Sequence, residues 1–122
     1  MEFTIDLPPV TKKNSMRVVN TGRYTKVLPS KAYCEYEKEA GYFLPCWANI
    51  KEPVEVTALF YMPTKRRVDL TNLLEALDDV LVKYGVIEDD NYEIIVSHDG
   101  SRVLYDREHP RTEVSIKFFS EK

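Results

Sequence analysis

One strongly amphipathic segment constrains the fold of this chain more than any other feature. Apolar side chains recur there at spacings of three and four, at Leu70, Leu73, Leu74, Leu77, Val80, Leu81 and Tyr84. The opposite stripe is polar and consists of Asn72, Glu75, Asp79 and Lys83. This period predicts an α-helix that buries one face. Gly85 follows at once, and glycine commonly ends a helix because it adopts a left-handed backbone at low cost.

β-strands are predicted on both sides of this helix. Residues 53–62 are rich in β-branched and aromatic side chains and end at Pro63, which predicts the most pronounced strand. Similar but shorter segments predict strands at 3–7, 17–20, 24–28, 92–97 and 112–119, of which the second and third form a hairpin around Thr21-Gly22. The charged stretch from Arg102 to Arg111 is interpreted as a loop or a protruding hairpin.

A second helix and the order of the elements predict the fold class. Ser30 is expected to cap a helix that runs from about Lys31 to Phe43. The whole order predicts one domain, residues 1–122, of the α+β class: a mixed β-sheet with two helices packed on one face. A chain of 122 residues is too short for two ordinary domains. The other sheet face is expected to be exposed or to form a dimer surface.

Charge is distributed unevenly along the chain. The formal net charge is −3, yet residues 1–31 carry six basic side chains against two acidic ones, a net charge of +4. Acidic residues concentrate between Glu75 and Asp99. A basic arm beside an acidic centre is compatible with a protein that binds DNA next to a metal ion. A merely mixed, solvated surface is the alternative.

Cysteine usage and hydropathy bear on location and cofactors. Cys34 and Cys46 do not form a CxxC pair, and the chain has two histidines. Reduced thiols are therefore expected, rather than structural zinc or a disulfide framework. No apolar run approaches the roughly 20 residues of a membrane helix, and the N-terminus lacks the layout of a signal peptide. We expect a cytoplasmic protein without a membrane partner.

Carboxylates lie at both ends of the amphipathic helix. Asp69 precedes it, directly behind the basic run Lys65-Arg66-Arg67, and Asp89 and Asp90 follow it. If the strand after Asp90 lies beside the strand that ends at Met62, these acids converge, and their mutual repulsion requires a cation. Oxygen ligands without His or Cys favour Mg²⁺ or Mn²⁺, which can activate water for attack on a phosphodiester.

Each acid also has an ordinary structural explanation. Asp69 is a favourable N-cap, Asp79 can pair with Lys83 one helical turn away, and Asp89-Asp90 can belong to a turn. His98 could act as a general base, although we favour its interpretation as a surface histidine at a turn.

At these residues the chain resembles the RusA-type Holliday-junction resolvases. The resemblance rests on the basic run before Asp69-Leu-Thr-Asn72-Leu, on Asp79-Val-Leu, and on Gly85-Val-Ile-Glu-Asp89-Asp90 followed by a strand. Pro8-Pro9 and Ser30-Lys31-Ala-Tyr33 support it more loosely. The resemblance implies a RusA-like fold and a homodimer that binds four-way DNA junctions and makes paired, Mg²⁺-dependent nicks. Endodeoxyribonucleases of this type are often carried by prophages.

The resemblance also implies that Asp69 and Asp90 are catalytic metal ligands, with Asn72 supporting them. The family motif reads Asp-Leu-Asp-Asn-Leu, with a lysine three residues after the Asn. This chain has Thr71 in place of the second aspartate and Glu75 in place of the lysine. Because helical side chains point back toward the N-terminal turn, we hypothesise that Glu75 is the third catalytic ligand.

The two departures leave alternatives open. Asp79 or Asp89 could supply the third carboxylate from behind the first ligands. A damaged site would instead make the protein a non-catalytic recombination accessory protein that binds junctions without cutting them. A small interaction domain without any nucleic-acid function is a further alternative, and the absence of salt-dependent DNA binding would favour it.

Basic side chains are the candidate DNA contacts. Clustering and proximity to the acids favour phosphate contacts from Lys12, Lys13, Arg17, Lys65, Arg66 and Arg67. Arg102 and Arg111 are second-rank candidates. The run from Lys65 to Arg67 would also have to steady the scissile phosphate, since the lysine of the family motif is absent.

Overall fold

The computed structural model describes residues 1–12, 16–20, 22 and 25–120. For residues 16–20, 25–27 and 29 it describes the backbone but not the side chains. Two predicted DNA contacts are affected: Lys13 lies outside the described residues, and so does the side chain of Arg17.

The described chain contains the predicted helices and strands in the predicted order, with one additional strand. They are β1 (Glu2–Ile5), β2 (Met16–Asn20), β3 (Thr25–Pro29), α1 (Lys31–Ala40), β4 (Val54–Met62), α2 (Leu70–Lys83), β5 (Ile95–Ser97), β6 (Arg102–Tyr105) and β7 (Arg111–Phe118). A short 3₁₀ turn, Gly41–Phe43, extends α1. No helix within the described ranges is long and apolar enough to cross a membrane.

β4 is the centre of a mixed five-stranded sheet. β7 pairs with it antiparallel, and β1 pairs antiparallel with β7. On the other side of β4, β5 runs parallel to its beginning and β6 runs parallel to its end. β2 and β3 pair with each other as a separate hairpin.

Both helices contribute to one core on one face of the sheet. Alternate residues of β4 and β7 point into it and are buried, at Val54, Val56, Ala58, Phe60, Thr112, Val114 and Ile116. All of these except Thr112 form one cluster with the apolar stripe of α2 and with Tyr36 and Ala40 of α1. Burial of each large apolar side chain contributes about 1.5–3 kcal/mol. The prediction of an α+β fold with two helices on one sheet face is therefore confirmed.

The sequence signals at the helix ends act as predicted. Ser30 Oγ accepts a hydrogen bond from the backbone N–H of Tyr33 at 3.1 Å. Gly85 has a φ of +73°. Its N–H donates to Val82 O at 3.1 Å, and the next N–H donates to Leu81 O at 2.9 Å. This Schellman pair stops α2 and turns the chain back toward the beginning of β4.

The prediction of a loop or protruding hairpin at residues 102–111 was wrong for the first four residues, whereas 106–110 is a loop. Arg102–Tyr105 is neither a loop nor part of a protruding hairpin, because it pairs parallel with β4, with Leu59 opposite Arg102 and Met62 opposite Tyr105. All four of its side chains are exposed, so the apolar and polar alternation by which strands are recognised is missing.

The predicted strand at 92–97 is shorter than expected. Its first half is a turn, in which Asn91 O accepts hydrogen bonds from the N–H groups of Ile94 and Ile95 at 3.0 and 2.9 Å. Only Ile95–Ser97 pairs with β4.

Candidate active site

Asp69 lies immediately before α2 with its side chain exposed. Its backbone is extended, with φ −90° and ψ 129°, yet its side chain makes no capping hydrogen bond to the helix. Instead, the buried Asn72 donates from Nδ2 to Asp69 Oδ2 at 3.3 Å. Asn72 thereby orients the carboxylate, whose remaining lone pairs face solvent and are available to a ligand.

The basic run that precedes Asp69 in the chain borders a cleft. The segment that follows β1 faces the segment Met62–Val68, and the cavity between them measures about 320 Å³. Arg66 and Arg67 line this cleft. Lys65 extends toward β6, with Nζ 5.2 Å from the centre of the Tyr105 ring. All three cations are exposed, so the predicted phosphate contacts of this run are accessible.

Lys12 pairs with an acid in the third turn of α2. Its Nζ lies 3.4 Å from Asp79 Oδ2 and 5.8 Å from the centre of the Tyr33 ring. The alternative pairing of Asp79 with Lys83 was wrong, because Lys83 contacts Glu37 of α1. The structure thus places one predicted DNA contact directly beside a predicted acid of the site.

Asp89 and Asp90 occupy the turn that follows α2. The Asp89 carboxylate accepts hydrogen bonds from the backbone N–H of Asp90 at 2.7 Å and from Asn91 Nδ2 at 3.2 Å, which is ordinary turn chemistry. Partial burial, the hydrogen bond with Asp89 and the charges of Asp89 and Asp79 hold the pKa of Asp90 above its ordinary value. Asp90 therefore lies in a negative field, where a carboxylate gains most from a nearby cation.

His98 connects α2 to the sheet. Its Nε2 lies 2.9 Å from Asp78 Oδ2, and its Nδ1 lies 2.9 Å from Val56 O. Both neighbours are acceptors, so the ring satisfies both only when each nitrogen carries a proton. The interpretation of His98 as a surface histidine was wrong: 25% of its side chain and 13% of the Asp78 side chain are exposed.

The pKa values of this pair are both shifted upward. Burial lowers the pKa of His98, but the hydrogen bond and charge of Asp78 and the Val56 carbonyl raise it further than burial lowers it. Burial raises the pKa of Asp78, against the opposing effect of His98, and the charges of Asp90 and Asp79 add to the rise. Asp78 Oδ1 is buried without a hydrogen-bond partner.

The predicted ligands at the start of α2 and within it are distributed along the length of the helix. Asp79 lies ten positions after Asp69, about 15 Å along the helix axis, and Glu75 lies exposed between them. Asp90 is near enough to Asp78 and Asp79 for their charges to shift pKa values. In the part of the chain that the structure describes, no three His, Cys, Asp or Glu side chains are grouped to hold a metal ion. The carboxylate oxygens of Asp69, Glu75 and Asp90 are the type of donor that a hard cation prefers.

The two second-rank arginines have different environments. Arg111 is held within the sheet: Nε donates to Glu113 Oε2 at 2.8 Å and Nη1 to Asp106 Oδ2 at 2.9 Å. Its guanidinium carbon lies 3.8 Å from the centre of the Tyr61 ring. Arg102 is exposed on β6. Arg111 is therefore a structural residue, whereas Arg102 is accessible to a polyanion.

Nearly the whole chain, including the residues described above, matches one known protein family. The family model described as Endodeoxyribonuclease RusA matches residues 6–117. The matched range contains both helices, the basic run and every carboxylate considered above as a ligand. A search among curated proteins finds no match.

Proposed function

Because the chain belongs to the RusA family of endodeoxyribonucleases, we propose that it is a metal-dependent nuclease that resolves four-way DNA junctions by paired nicks during recombination. The observation that carries this proposal is the exposed carboxylate of Asp69, which Asn72 holds and which follows in the chain directly after the cleft-lining residues Arg66, Arg67 and Val68. Exposed cations that can hold a polyanion thus lie within three residues of an exposed carboxylate that can hold a metal.

Asp69, Asp90 and Glu75 would hold Mg²⁺ or Mn²⁺, with Asp79 or Asp89 as alternatives to Glu75. When bound, the ion supplies an activated water and neutralises developing charge on the phosphate. The exposure of all three side chains and the raised pKa of Asp90 support this assignment. Asn72 acts as a positioning residue, because it fixes one oxygen of Asp69 and leaves the other free.

Lys65, Arg66 and Arg67 would bind the phosphates on either side of the scissile bond. Lys12 neutralises Asp79 in the structure and would turn to the DNA once another cation is present. Lys13 and Arg17 stay predictions. A homodimer would present two such surfaces, which matches the two-fold symmetry of a four-way junction.

Cleavage of a labelled synthetic four-way junction in Mg²⁺ or Mn²⁺ tests the proposal. Asp69→Asn, Glu75→Gln and Asp90→Asn should each abolish nicking while junction binding persists. Matched controls are Glu39→Gln on the exposed face of α1 and Asp99→Asn in an exposed turn, and both should cut like the wild type. Electron paramagnetic resonance measures Mn²⁺ binding to each variant, so it tests the proposed ligands without requiring DNA cleavage.

The salt dependence of junction binding tests the basic cleft. Arg66→Gln and Arg67→Gln should each reduce the slope of log K against log [salt] by about one. Lys38→Gln, an exposed lysine of α1, should leave the slope unchanged.

Two results would refute nuclease activity in different ways. Tight binding in chelator without any nicking in metal would show a junction-binding accessory protein, in which Thr71 and Glu75 mark a lost site. Junction binding that does not depend on salt would exclude any function that involves nucleic acid.

A further inference from the structure

β6 is an apolar strand at an open edge of the sheet. Among the described strands it pairs with β4 alone. Val103, Leu104 and Tyr105 are 37%, 36% and 46% exposed, although they form three of the four residues of this strand. Unpaired N–H and C=O groups beside exposed apolar side chains are a template for pairing with another strand.

The other edges of the same sheet carry more of the usual protections than β6, which has four residues and a single charged side chain, Arg102, at its beginning. β1 exposes Glu2 and Thr4, and Pro8 and Pro9 follow it closely. β5 has only three residues, and its pairing with β4 is irregular. Charge, proline, shortness and irregularity are the usual protections of an edge strand. Of the edges that the structure describes in the five-stranded sheet, β6 is the one suited to continue it.

The direction of the backbone groups in β6 is determined by its pairing with β4. Tyr105 lies opposite Met62, and the N–H of Asp106 donates to Met62 O at 2.9 Å. Alternate residues of a paired strand direct their backbone groups to the same neighbour. Leu104 and Asp106 therefore face β4, whereas the backbone groups of Val103 and Tyr105 point to the open edge.

We propose that β6 pairs antiparallel with β6 of a second copy of this chain, with Leu104 on the two-fold axis. In this register Val103 lies opposite Tyr105 of the second copy. The two such pairs exchange about four backbone hydrogen bonds, since both residues direct their groups outward. Each Leu104 meets its own symmetry mate, so the interface is closed and isologous.

Charge complementarity selects this register over its neighbours. With Leu104 on the axis, Arg102 lies opposite Asp106 of the second copy, on the same sheet face. A register centred on Val103 or on Tyr105 places Arg102 or Asp106 opposite an apolar side chain instead. The Asp106 carboxylate accepts hydrogen bonds from the backbone N–H groups of Glu108 and His109 at Oδ1 and from Arg111 at Oδ2. Its side chain is 32% exposed, so Oδ2 can accept one further hydrogen bond from a guanidinium.

The same pairing brings two basic runs to the axis. Lys65 lies over the Tyr105 ring, which places the run from Lys65 to Arg67 next to β6 in each copy. Joining the two strands therefore places two cationic surfaces symmetrically, as a four-way junction requires. The family resemblance already implies a homodimer; the pairing of β6 and its register with Leu104 on the axis are inferred from the strand edge and do not depend on the proposed nuclease function.

Cysteine cross-linking tests the register. Leu104→Cys is made in a Cys34→Ser, Cys46→Ser background, because both native cysteines are exposed. At a non-hydrogen-bonded pair on the axis the two Cα atoms are about 4.5 Å apart, which a disulfide can span. We expect mild oxidation to give a covalent dimer. Arg102→Cys is the control, since its symmetry mate is displaced by about 13 Å along the strand and should not cross-link.

Light scattering after size exclusion tests the dimer without any cross-link. The wild type should have twice the 14.2 kDa mass of the chain. Leu104→Lys places like charges on the axis and should halve that mass. Val96→Lys, at a site that is 38% exposed on β5, should remain dimeric. Circular dichroism checks that both variants fold.

Three outcomes would overturn the proposal. These are a monomeric wild type, a folded Leu104→Lys variant that stays dimeric, and an Arg102→Cys variant that cross-links as readily as Leu104→Cys. None of these measurements uses DNA cleavage, so failure of this interface and failure of the nuclease assignment are distinguishable.

Discussion

Replacing His98 with alanine should destabilise the protein by about 2–3 kcal/mol. The imidazole bridges Asp78 Oδ2 and Val56 O, both at 2.9 Å. Its removal leaves the second oxygen of a largely buried carboxylate without a partner, while the first is already unpaired. A hydrogen bond to a charged group contributes about 1.5–3 kcal/mol. The exposed quarter of the His98 side chain keeps the cost below that of a fully buried pair.

The loss should depend on pH in a defined direction. Contacts with Asp78 raise the pKa of His98 above its ordinary value of 6.5. Its contribution to stability is therefore complete below about pH 6.5 and falls as the pH rises through the raised value. The difference between wild type and His98→Ala should thus be larger at about pH 6 than at about pH 9.

Urea unfolding at these two pH values measures both effects. A double-mutant cycle with Asp78→Ala should give a coupling energy of about 1.5 kcal/mol or more at the lower pH. His98→Gln retains a donor toward Asp78 but does not titrate, so it should recover part of the stability and lose the pH dependence. A coupling below about 0.5 kcal/mol at both pH values, or the same loss in His98→Ala at both, would refute this reasoning.

Three further predictions concern other parts of the chain. Lys12→Met removes the ammonium group beside Asp79. This change should raise the apparent affinity for Mn²⁺ about two- to fivefold and weaken junction binding. An unchanged or lower affinity in a Mn²⁺ titration would contradict this prediction. Gly85→Ala should cost about 1 kcal/mol in urea unfolding, since φ is +73° and the new Cβ would meet nothing closer than Cys46 O at 3.8 Å; an unaffected midpoint would count against it. Leu77→Ala should cost about 2–5 kcal/mol because Leu77 is only 1% exposed, and Glu75→Ala on the exposed face should change little by comparison.

Local patterns predicted the elements that lie close together in sequence. The apolar stripe of α2, the Gly85 stop and the Ser30 cap depend on residues within one or two helical turns. They can therefore be recognised in the sequence without knowledge of the fold. β4 and β7 were also predicted, because alternate residues of a strand with one buried face must be apolar. β6 was missed because it is exposed on both faces and owes its extended backbone to pairing with β4.

In the candidate site, too, the features that were predicted join residues close in sequence, and the contact that was missed joins distant residues. Asp69, Asn72 and the basic run are neighbours in sequence, and the hydrogen bond between Asp69 and Asn72 joins residues three positions apart. His98 and Asp78 are 20 residues apart. The turn signals around His98 predict exposure, and nothing local indicates that Asp78 is its partner.

The sequence by itself determined the class of fold, the family, the two helices and the presence of acids beside a basic run. These follow from periodicity, local capping and motif spacing, whose interactions span a few residues. The tertiary structure alone decided that Lys12 neutralises Asp79, that His98 ties α2 to β4, and that β6 leaves an apolar edge open. Each of these depends on strand order and register, which are selected by burial of the whole core and have no counterpart in any single segment.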